Sequence, residues 1–178
     1  MNLRAFLILA IAALSAAPLP GAFSKPLVTY SDTEEPDKKA PDKEVAVVQA
    51  QLDELQGKIA RKEIPPIEFE LGSTALKASA KPALELVARL LIRHPHLKLM
   101  IFGHTDNVGG RKYNLDLSRR RAEAVKDCLV ELGVTPESLR AKGFGMDKPL
   151  LPNDSDENRA KNRRVEFLVT NRSWDSVY

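Results

Sequence analysis

The chain has 178 residues, of which 43% are hydrophobic and 29% are charged, so it has room for one folded domain and some additional segments. Its 27 Lys and Arg residues exceed its 24 Asp and Glu residues, and the net charge of +3 is too small for nucleic-acid binding unless it is concentrated on one surface. A single cysteine, Cys128, excludes an intrachain disulfide and a metal cluster built from several cysteines.

The first segment has the pattern of an export signal. Arg4 is followed by the uncharged, largely apolar run Ala5–Ala17 and then by prolines and small residues. This run is shorter than the roughly 20 apolar residues that span a membrane, and a positive start before a short apolar run is typical of a signal peptide. We expect residues 1–24 to be that peptide, cleaved before Lys25. An uncleaved membrane anchor and a buried core helix remain as alternatives.

Residues 25–44 are expected to be a disordered linker. They are rich in Pro, Asp, Glu and Lys and contain few large apolar side chains. A segment of this composition cannot bury enough surface to offset the entropy of ordering it.

An amphipathic helix is predicted within residues 45–65, ending before Pro65 and Pro66. Its apolar residues recur at spacings of three and four and form one stripe: Val45, Val48, Leu52, Leu55 and Ile59. Such a stripe could dimerise the chain as a short coiled coil, or it could pack against the following domain. The stripe is short for a coiled coil and Gly57 weakens the helix, which favours packing against the domain.

The folded domain is predicted over residues 66–171. Apolar patterns with a period of two predict four strands, over residues 67–71, 96–102, 139–143 and 164–170. Helical periodicity predicts one helix from a cap at Ser79 to Arg93 and another over about residues 117–132. Strands that alternate with amphipathic helices indicate an α/β (α+β) two-layer sandwich, in which helices cover one sheet.

Two further features are less informative. Cys128 lies at the edge of the apolar stripe of the second domain helix, so we expect it to be a core residue. Residues 172–178 form a tail whose Trp174 could cover an edge of the core.

One loop and two later arginines suggest a binding site. Asp106 comes just after a buried strand, in a glycine-containing loop, and open α/β sheets place ligands at such strand ends. Arg121 lies in the next helix and Arg163 precedes the last strand. If they converge, an ammonium could bind Asp106 and a carboxylate could bind the planar guanidinium of Arg121. The alternative is a structural salt bridge between Asp106 and Arg121.

Several motifs occur in a characteristic order. They are Gly103-His104-Thr105-Asp106-x-x-Gly109, Asn114-x-x-Leu117-Ser118-x-x-Arg121-Ala122, Gly143-x-Gly145 and Asn162-Arg163-Arg164-Val165-Glu166. With these motifs the chain resembles the OmpA-like peptidoglycan-binding domain family over about residues 66–171. The resemblance implies a mixed sheet, of about four strands here, with helices packed on one face.

The resemblance also implies non-covalent binding of the peptide stem of peptidoglycan through meso-diaminopimelate. Asp106 and Arg121 match the family residues that hold its amino and carboxylate groups. Residues that match the lining of the same pocket are Thr105, Asn114, Leu117 and Arg163. At Asn158 related chains often have Gly, and Asn is expected to tolerate the left-handed backbone that such a turn would need.

The resemblance implies a periplasmic protein, associated with the cell wall or outer membrane, that tethers itself or an envelope complex to the wall without enzyme activity or a cofactor. An alternative is an assembly subunit of an envelope machine that uses helix 45–63, with wall binding secondary. The same helix could contact an envelope partner or form a homodimer.

Other classes of function fit the sequence poorly. The three histidines lack the carboxylate spacing of a metal site, and no base is evident beside Ser118 or Cys128 for nucleophilic catalysis. Arg119, Arg120 and Arg121 lack the interleaved aromatic residues of a nucleic-acid surface.

Overall fold

The computed structural model of the protein describes residues 43–70 and 72–174. The predicted signal peptide, nearly all of the predicted linker and residues 175–178 lie outside this part. Within the described part, no helix combines the length and the hydropathy needed to cross a membrane.

Four helices and three strands make up the regular structure of the described residues. In chain order they are α1 (Lys43–Ala60), α2 (Lys81–Arg93), β1 (Lys98–His104), α3 (Arg111–Glu131), β2 (Leu139–Gly145), α4 (Asp156–Asn162) and β3 (Val165–Thr170). Short 3-10 turns precede α2 and β2, at Ala78–Ala80 and Pro136–Ser138.

The strands form one mixed sheet in the order β2-β1-β3. The central strand β1 is parallel to β2 and antiparallel to β3, so Ile101 pairs with Ala141 on one side and with Phe167 on the other. Ile101 and Phe167 belong to a core that the sheet shares with α1, α2 and α3. The predicted fold class is confirmed, although the sheet of the described residues has three strands and not about four.

The strand predicted at residues 67–71 is not part of this sheet. Phe69 makes an isolated antiparallel bridge with Leu76, and the Glu70 N–H donates to the Ala75 carbonyl at 2.9 Å. The segment therefore folds back on itself. Its side chains alternate between half-buried and exposed because it forms one arm of a small hairpin.

Two helix starts differ from the prediction. Ser79 lies in a 3-10 turn, and Ala80 occupies the N-cap position of α2 without a side-chain cap bond, so the prediction of Ser79 as the cap is wrong. α3 begins at Arg111 and not near Leu117. Its first three residues are exposed and Asn114 is polar, so no apolar periodicity reveals this start.

The sequence analysis did not predict α4. Ser155 caps this helix, because its Oγ accepts a hydrogen bond from the Asn158 N–H at 3.2 Å. Asn158 therefore lies in a helical turn. Among the described non-glycine residues only Lys62 has a positive φ, so the left-handed turn considered for Asn158 is not present.

The apolar stripe of α1 is buried in the core of its own chain. Val48 and Leu52 are fully buried. Gln49 fixes the helix to β3, since its Nε2 donates to the Phe167 carbonyl at 3.2 Å and its Oε1 accepts from the Val169 N–H at 2.8 Å. The structure thus shows the packed alternative. A coiled coil through this stripe would require α1 to leave the domain.

Close contact between α3 and the sheet depends on glycine. A Cβ added to Gly103 would lie 2.2 Å from the Ser118 carbonyl oxygen, and one added to Gly143 would lie 2.3 Å from the backbone nitrogen of Arg119. Side chains at these positions would push the helix away. The motif glycines therefore set how closely Arg121 approaches the end of β1.

Cys128 and Trp174 lie at the edges of the fold. Cys128 is half-buried against the core, and burial raises the pKa of its thiol. Trp174 is also half-buried, and its indole N–H donates to the Glu137 carbonyl at 2.7 Å.

Candidate functional site

Asp106 follows β1 directly and is nearly buried, with 12% of its side chain exposed. Its Oδ2 accepts a hydrogen bond from Nη1 of Arg163 at 2.7 Å, and its Oδ1 accepts one from the Val108 N–H at 3.1 Å. The carboxylate is thus held by one charged and one backbone donor. Carboxylates with such charge-assisted bonds are fixed in orientation.

The loop that carries Asp106 is fixed by its neighbours in the motifs. The Thr105 N–H donates to the Gly145 carbonyl at 2.9 Å, and the Thr105 hydroxyl donates to the Asp106 carbonyl at 2.9 Å. Asn114 Nδ2 donates to the Val108 carbonyl at 3.0 Å. Thr105 and Asn114 are both buried, so the structure places them as supports of the loop.

Arg121 lies on α3 and is half-buried. Its Nε donates to the Ser73 carbonyl at 3.3 Å, and its guanidinium carbon lies 4.9 Å from the ring centroid of Phe69. Burial lowers the pKa of Arg121; nearby Arg163 also lowers it, whereas Asp106 raises it. Arg121 is therefore a desolvated cation within electrostatic range of Asp106.

The structure does not contain the salt bridge that the sequence allowed between Asp106 and Arg121. Over residues 43–70 and 72–174, no carboxylate lies within 4.0 Å of the Arg121 guanidinium, and Asp106 pairs with Arg163. The antiparallel pairing of Gly103 with Val165 brings Arg163 beside Asp106. The site thus contains one ion pair, Asp106 with Arg163, and a second cation, Arg121, nearby.

Leu117 lies one helical turn before Arg121 on α3 and is half-buried. Arg163 follows α4, and about half of its side chain is exposed. The predicted residues therefore divide into buried loop supports, a buried carboxylate and more accessible positions on α3 and beside β3.

The sequence analysis missed the residues that hold Arg121 in place. Phe69 and Ser73 come from the segment that was predicted as a strand. The alternation of apolar residues in this segment indicates that the Phe69 side chain faces inward. No sequence spacing, however, predicts that Phe69 contacts Arg121. Exposed Val108 and Tyr113 were also missed, although Val108 stands in the Asp106 loop and Tyr113 in the first turn of α3.

A buried charged cluster braces the strand ends beneath the loop. His104 Nε2 lies 3.6 Å from Glu166 Oε2, and Arg164 Nη2 lies 2.6 Å from Glu166 Oε1. The His104 N–H also donates to the Arg164 carbonyl at 3.0 Å. This cluster ties the end of β1 to the start of β3, and therefore Asp106 to Arg163.

Two surface cavities lie elsewhere. One of about 350 Å³ is lined by residues that include Leu84 and Cys128, and one of about 150 Å³ by residues that include Leu55 and Leu86. Neither is lined by Asp106 or Arg121. In the described ranges, no group of three or more His, Cys, Asp or Glu side chains could hold a metal ion.

Comparison with known proteins agrees with the motifs and the fold. The model of the OmpA family matches residues 68–163, which is more than half of the chain. The chain belongs to the OmpA family. All six predicted site residues lie within the matched region, which ends at Arg163.

Curated relatives of this OmpA-family chain include the peptidoglycan-associated lipoprotein of Brucella melitensis, 38% identical over 103 residues, and the outer membrane porin F of Pseudomonas fluorescens, 35% identical over 103 residues. Each alignment covers 58% of this chain. The chain spans 61% of the lipoprotein and 32% of the porin, less than two thirds of either.

Solved structures share the fold. The peptidoglycan-associated lipoprotein of Burkholderia pseudomallei has a TM-score of 0.54 and 31% identity, over 59% of this chain and 87% of its own. The C-terminal domain of Helicobacter pylori MotB has the same TM-score and identity, over 64% of this chain and 89% of its own.

Proposed function

We propose that this chain binds peptidoglycan non-covalently, through the free end of meso-diaminopimelate in the stem peptide, and tethers a periplasmic protein or complex to the cell wall. The observation that carries the proposal is the position of Arg121, a half-buried guanidinium without a carboxylate within 4.0 Å in the described residues, close to the Asp106–Arg163 pair. Two relatives, the peptidoglycan-associated lipoproteins of Brucella melitensis and Burkholderia pseudomallei, support it.

The chemistry of the ligand matches these charges. The free end of meso-diaminopimelate carries an ammonium and a carboxylate on one carbon. The ammonium would donate to Asp106, and the carboxylate would accept from Arg121, whose planar guanidinium can bind both oxygens. Arg163, half-exposed and already beside Asp106, is positioned to contribute to the carboxylate end.

Phe69 and Ser73 prepare Arg121 for this role. The ring of Phe69 supports the guanidinium face, and the Ser73 carbonyl takes its Nε–H, so the two terminal nitrogens remain to bind the ligand. A guanidinium fixed before binding loses less side-chain entropy when the ligand arrives. The buried supports Thr105 and Asn114 fix the loop in the same way.

A single site of this kind supplies modest affinity. Each hydrogen bond to a charged group contributes about 1.5–3 kcal/mol. The wall is a polymer that presents many identical stems, so rebinding retains a tethered protein. We place the protein in the periplasm, associated with the wall or outer membrane and exported by the signal peptide predicted at residues 1–24.

The alternative of an assembly subunit that uses helix 45–63 has less support. The stripe that would recruit a partner is buried against the sheet of the same chain, with Val48 and Leu52 fully covered. A partner could reach the outer side of α1, where Val47 is 55% exposed. Wall binding therefore remains the primary proposal.

Co-sedimentation with purified diaminopimelate-type peptidoglycan tests the proposal. Asp106→Ala and Arg121→Ala should each lower the bound fraction strongly, by about tenfold or more in apparent affinity, because each removes a charge-assisted bond. Exposed Asp127→Ala and Arg120→Ala are the matched controls and should bind like the unchanged protein. Retention of both site variants at the control level would show that the pocket is assigned to the wrong residues.

A further inference from the structure

A second charged surface lies on the sheet face opposite the core. Side chains alternate along β1, so Met100 and Phe102 face away from Ile101. Met100 and Phe102 are outside the core cluster that the helices share with the sheet, yet they are 3% and 4% exposed. Among the described residues, long side chains of the neighbouring strands and Trp174 lie on this face.

Three cations, Lys98, Arg140 and Lys142, stand over aromatic rings on this face, and we name them the cationic sheet face. Lys98 Nζ and Arg140 Cζ lie 5.2 Å and 5.1 Å from the ring centroid of Trp174, and Lys142 Nζ lies 5.2 Å from that of Phe144. Their aliphatic stems cover the apolar floor while the charged groups extend over the rings.

No carboxylate neutralises the cationic sheet face within the part of the chain that the structure describes. Lys98, Arg140 and Lys142 each lack a carboxylate within 4.0 Å. The buried carboxylate of the same face, Glu166, is bound by Arg164. Exposed Leu168 adds an apolar contact to the three charges, because it pairs with Met100 and points to the same side.

We propose that the cationic sheet face docks on an anionic lipid surface. The three charges are spread over the faces of two neighbouring strands, so they meet a planar array of headgroups together. Lys and Arg near an anionic leaflet are attracted to it, and aromatic rings favour the membrane–water interface.

The position of this face is compatible with simultaneous wall binding. Lys98 begins β1 and Asp106 follows its other end, about 20 Å away along the strand. Glu44 accepts hydrogen bonds from His94 Nδ1 at 2.6 Å and from His96 Nε2 at 2.8 Å, so α1 starts beside the beginning of β1. α1 therefore begins at the end of the sheet that carries Lys98, away from the Asp106–Arg121 site.

Vesicle co-sedimentation of the full chain tests this proposal. At low ionic strength, binding to phosphatidylcholine vesicles is compared with binding to vesicles that also contain phosphatidylglycerol. Binding through the apolar run Ala5–Ala17 would contribute to both measurements and therefore cancels in the comparison. The unchanged protein should prefer the anionic vesicles. Since each cation contributes about fivefold, the variant Lys98→Gln/Arg140→Gln/Lys142→Gln should lose about a hundredfold of that preference.

The matched control, Lys81→Gln/Arg93→Gln/Lys126→Gln, removes the same charge elsewhere and should lose far less. An unchanged midpoint of urea unfolding shows that each variant is folded; if the Lys98→Gln/Arg140→Gln/Lys142→Gln variant fails this check, Lys142→Gln alone should still lose about fivefold. Equal binding to both vesicle types, or equal losses in both triple variants, would overturn the proposal. Binding to immobilised poly-glutamate but not to anionic vesicles would show that the face takes an acidic protein instead.

Discussion

Gly143 is a position at which a single methyl group should disturb the whole site. Its added Cβ would lie 2.3 Å from the Arg119 nitrogen and 2.4 Å from Ser118 Oγ, so Gly143→Ala should force α3 away from β2. We expect a loss of about 1–3 kcal/mol or more in the free energy of unfolding, measured in urea.

Gly110→Ala is the control for that change. A Cβ at Gly110 meets nothing within 4 Å, and its φ of −77° suits any residue. Gly110 is also the N-cap of α3, where Ala is less favourable than Gly, and this cost offsets the gain from a less flexible unfolded chain. The free energy of unfolding should therefore change by less than about 0.5 kcal/mol. Equal stability of the two variants would mean that α3 does not pack on β2 as described.

His104 makes stability depend on pH. It is 2% exposed, and burial lowers its pKa from 6.5, an effect that Glu166 opposes. Below pH 6.5 the unfolded chain therefore binds this proton more readily than the folded protein does. Stability should fall as the pH drops from 6.5 towards the folded pKa, and then level off.

Urea unfolding of the unchanged protein and of His104→Gln, over that pH range, measures this effect. The variant should show a flatter dependence of stability on pH, whatever its stability at neutral pH. The same slope in both proteins would indicate that other groups cause the pH dependence.

At the scale of elements, α1 is integral to the domain. Leu52 is fully buried in the core cluster, so Leu52→Ala should leave a cavity and lower the free energy of unfolding by about 2–5 kcal/mol. Val47 on the same helix is 55% exposed, and Val47→Ala should change it by less than about 0.5 kcal/mol. A change in sedimentation mass without a loss of stability in Leu52→Ala would favour the coiled coil instead.

The elements that the sequence predicted well are those that carry buried apolar residues. Six of the seven residues of β1 and six of the thirteen of α2 are buried, and the bounds of β1, β2, β3 and α2 lie within a few residues of the prediction. The failures have a weaker apolar signal. The first three residues of α3 are exposed, α4 is short and mostly polar, and residues 67–71 alternate because of a local hairpin.

The candidate site was predictable only in part. The motifs indicated Asp106, Arg121 and Arg163, but sequence spacing favoured a pair between Asp106 and Arg121. The actual partner, Arg163, is brought in by the antiparallel pairing of β1 with β3, which is a long-range feature. The contact of Phe69 with Arg121 depends on tertiary packing in the same way.

At the scale of the whole molecule, the fold separates its charged surfaces. The Asp106–Arg121 site lies at one end of β1, the cationic sheet face reaches the other, and α1 begins near that second end. If the site binds the wall as proposed, its distance from the start of α1 suits a tethered module.

The Asp106–Arg121 site is proposed to recognise a zwitterion. Calorimetric titration with a soluble stem peptide that ends in free meso-diaminopimelate tests it most directly, against the same peptide with the free-end carboxylate amidated. The free form should bind at least about tenfold more tightly, because amidation removes the charge-assisted bond to Arg121, and Asp106→Ala should weaken binding of both. Equal affinity for the two peptides would contradict the account.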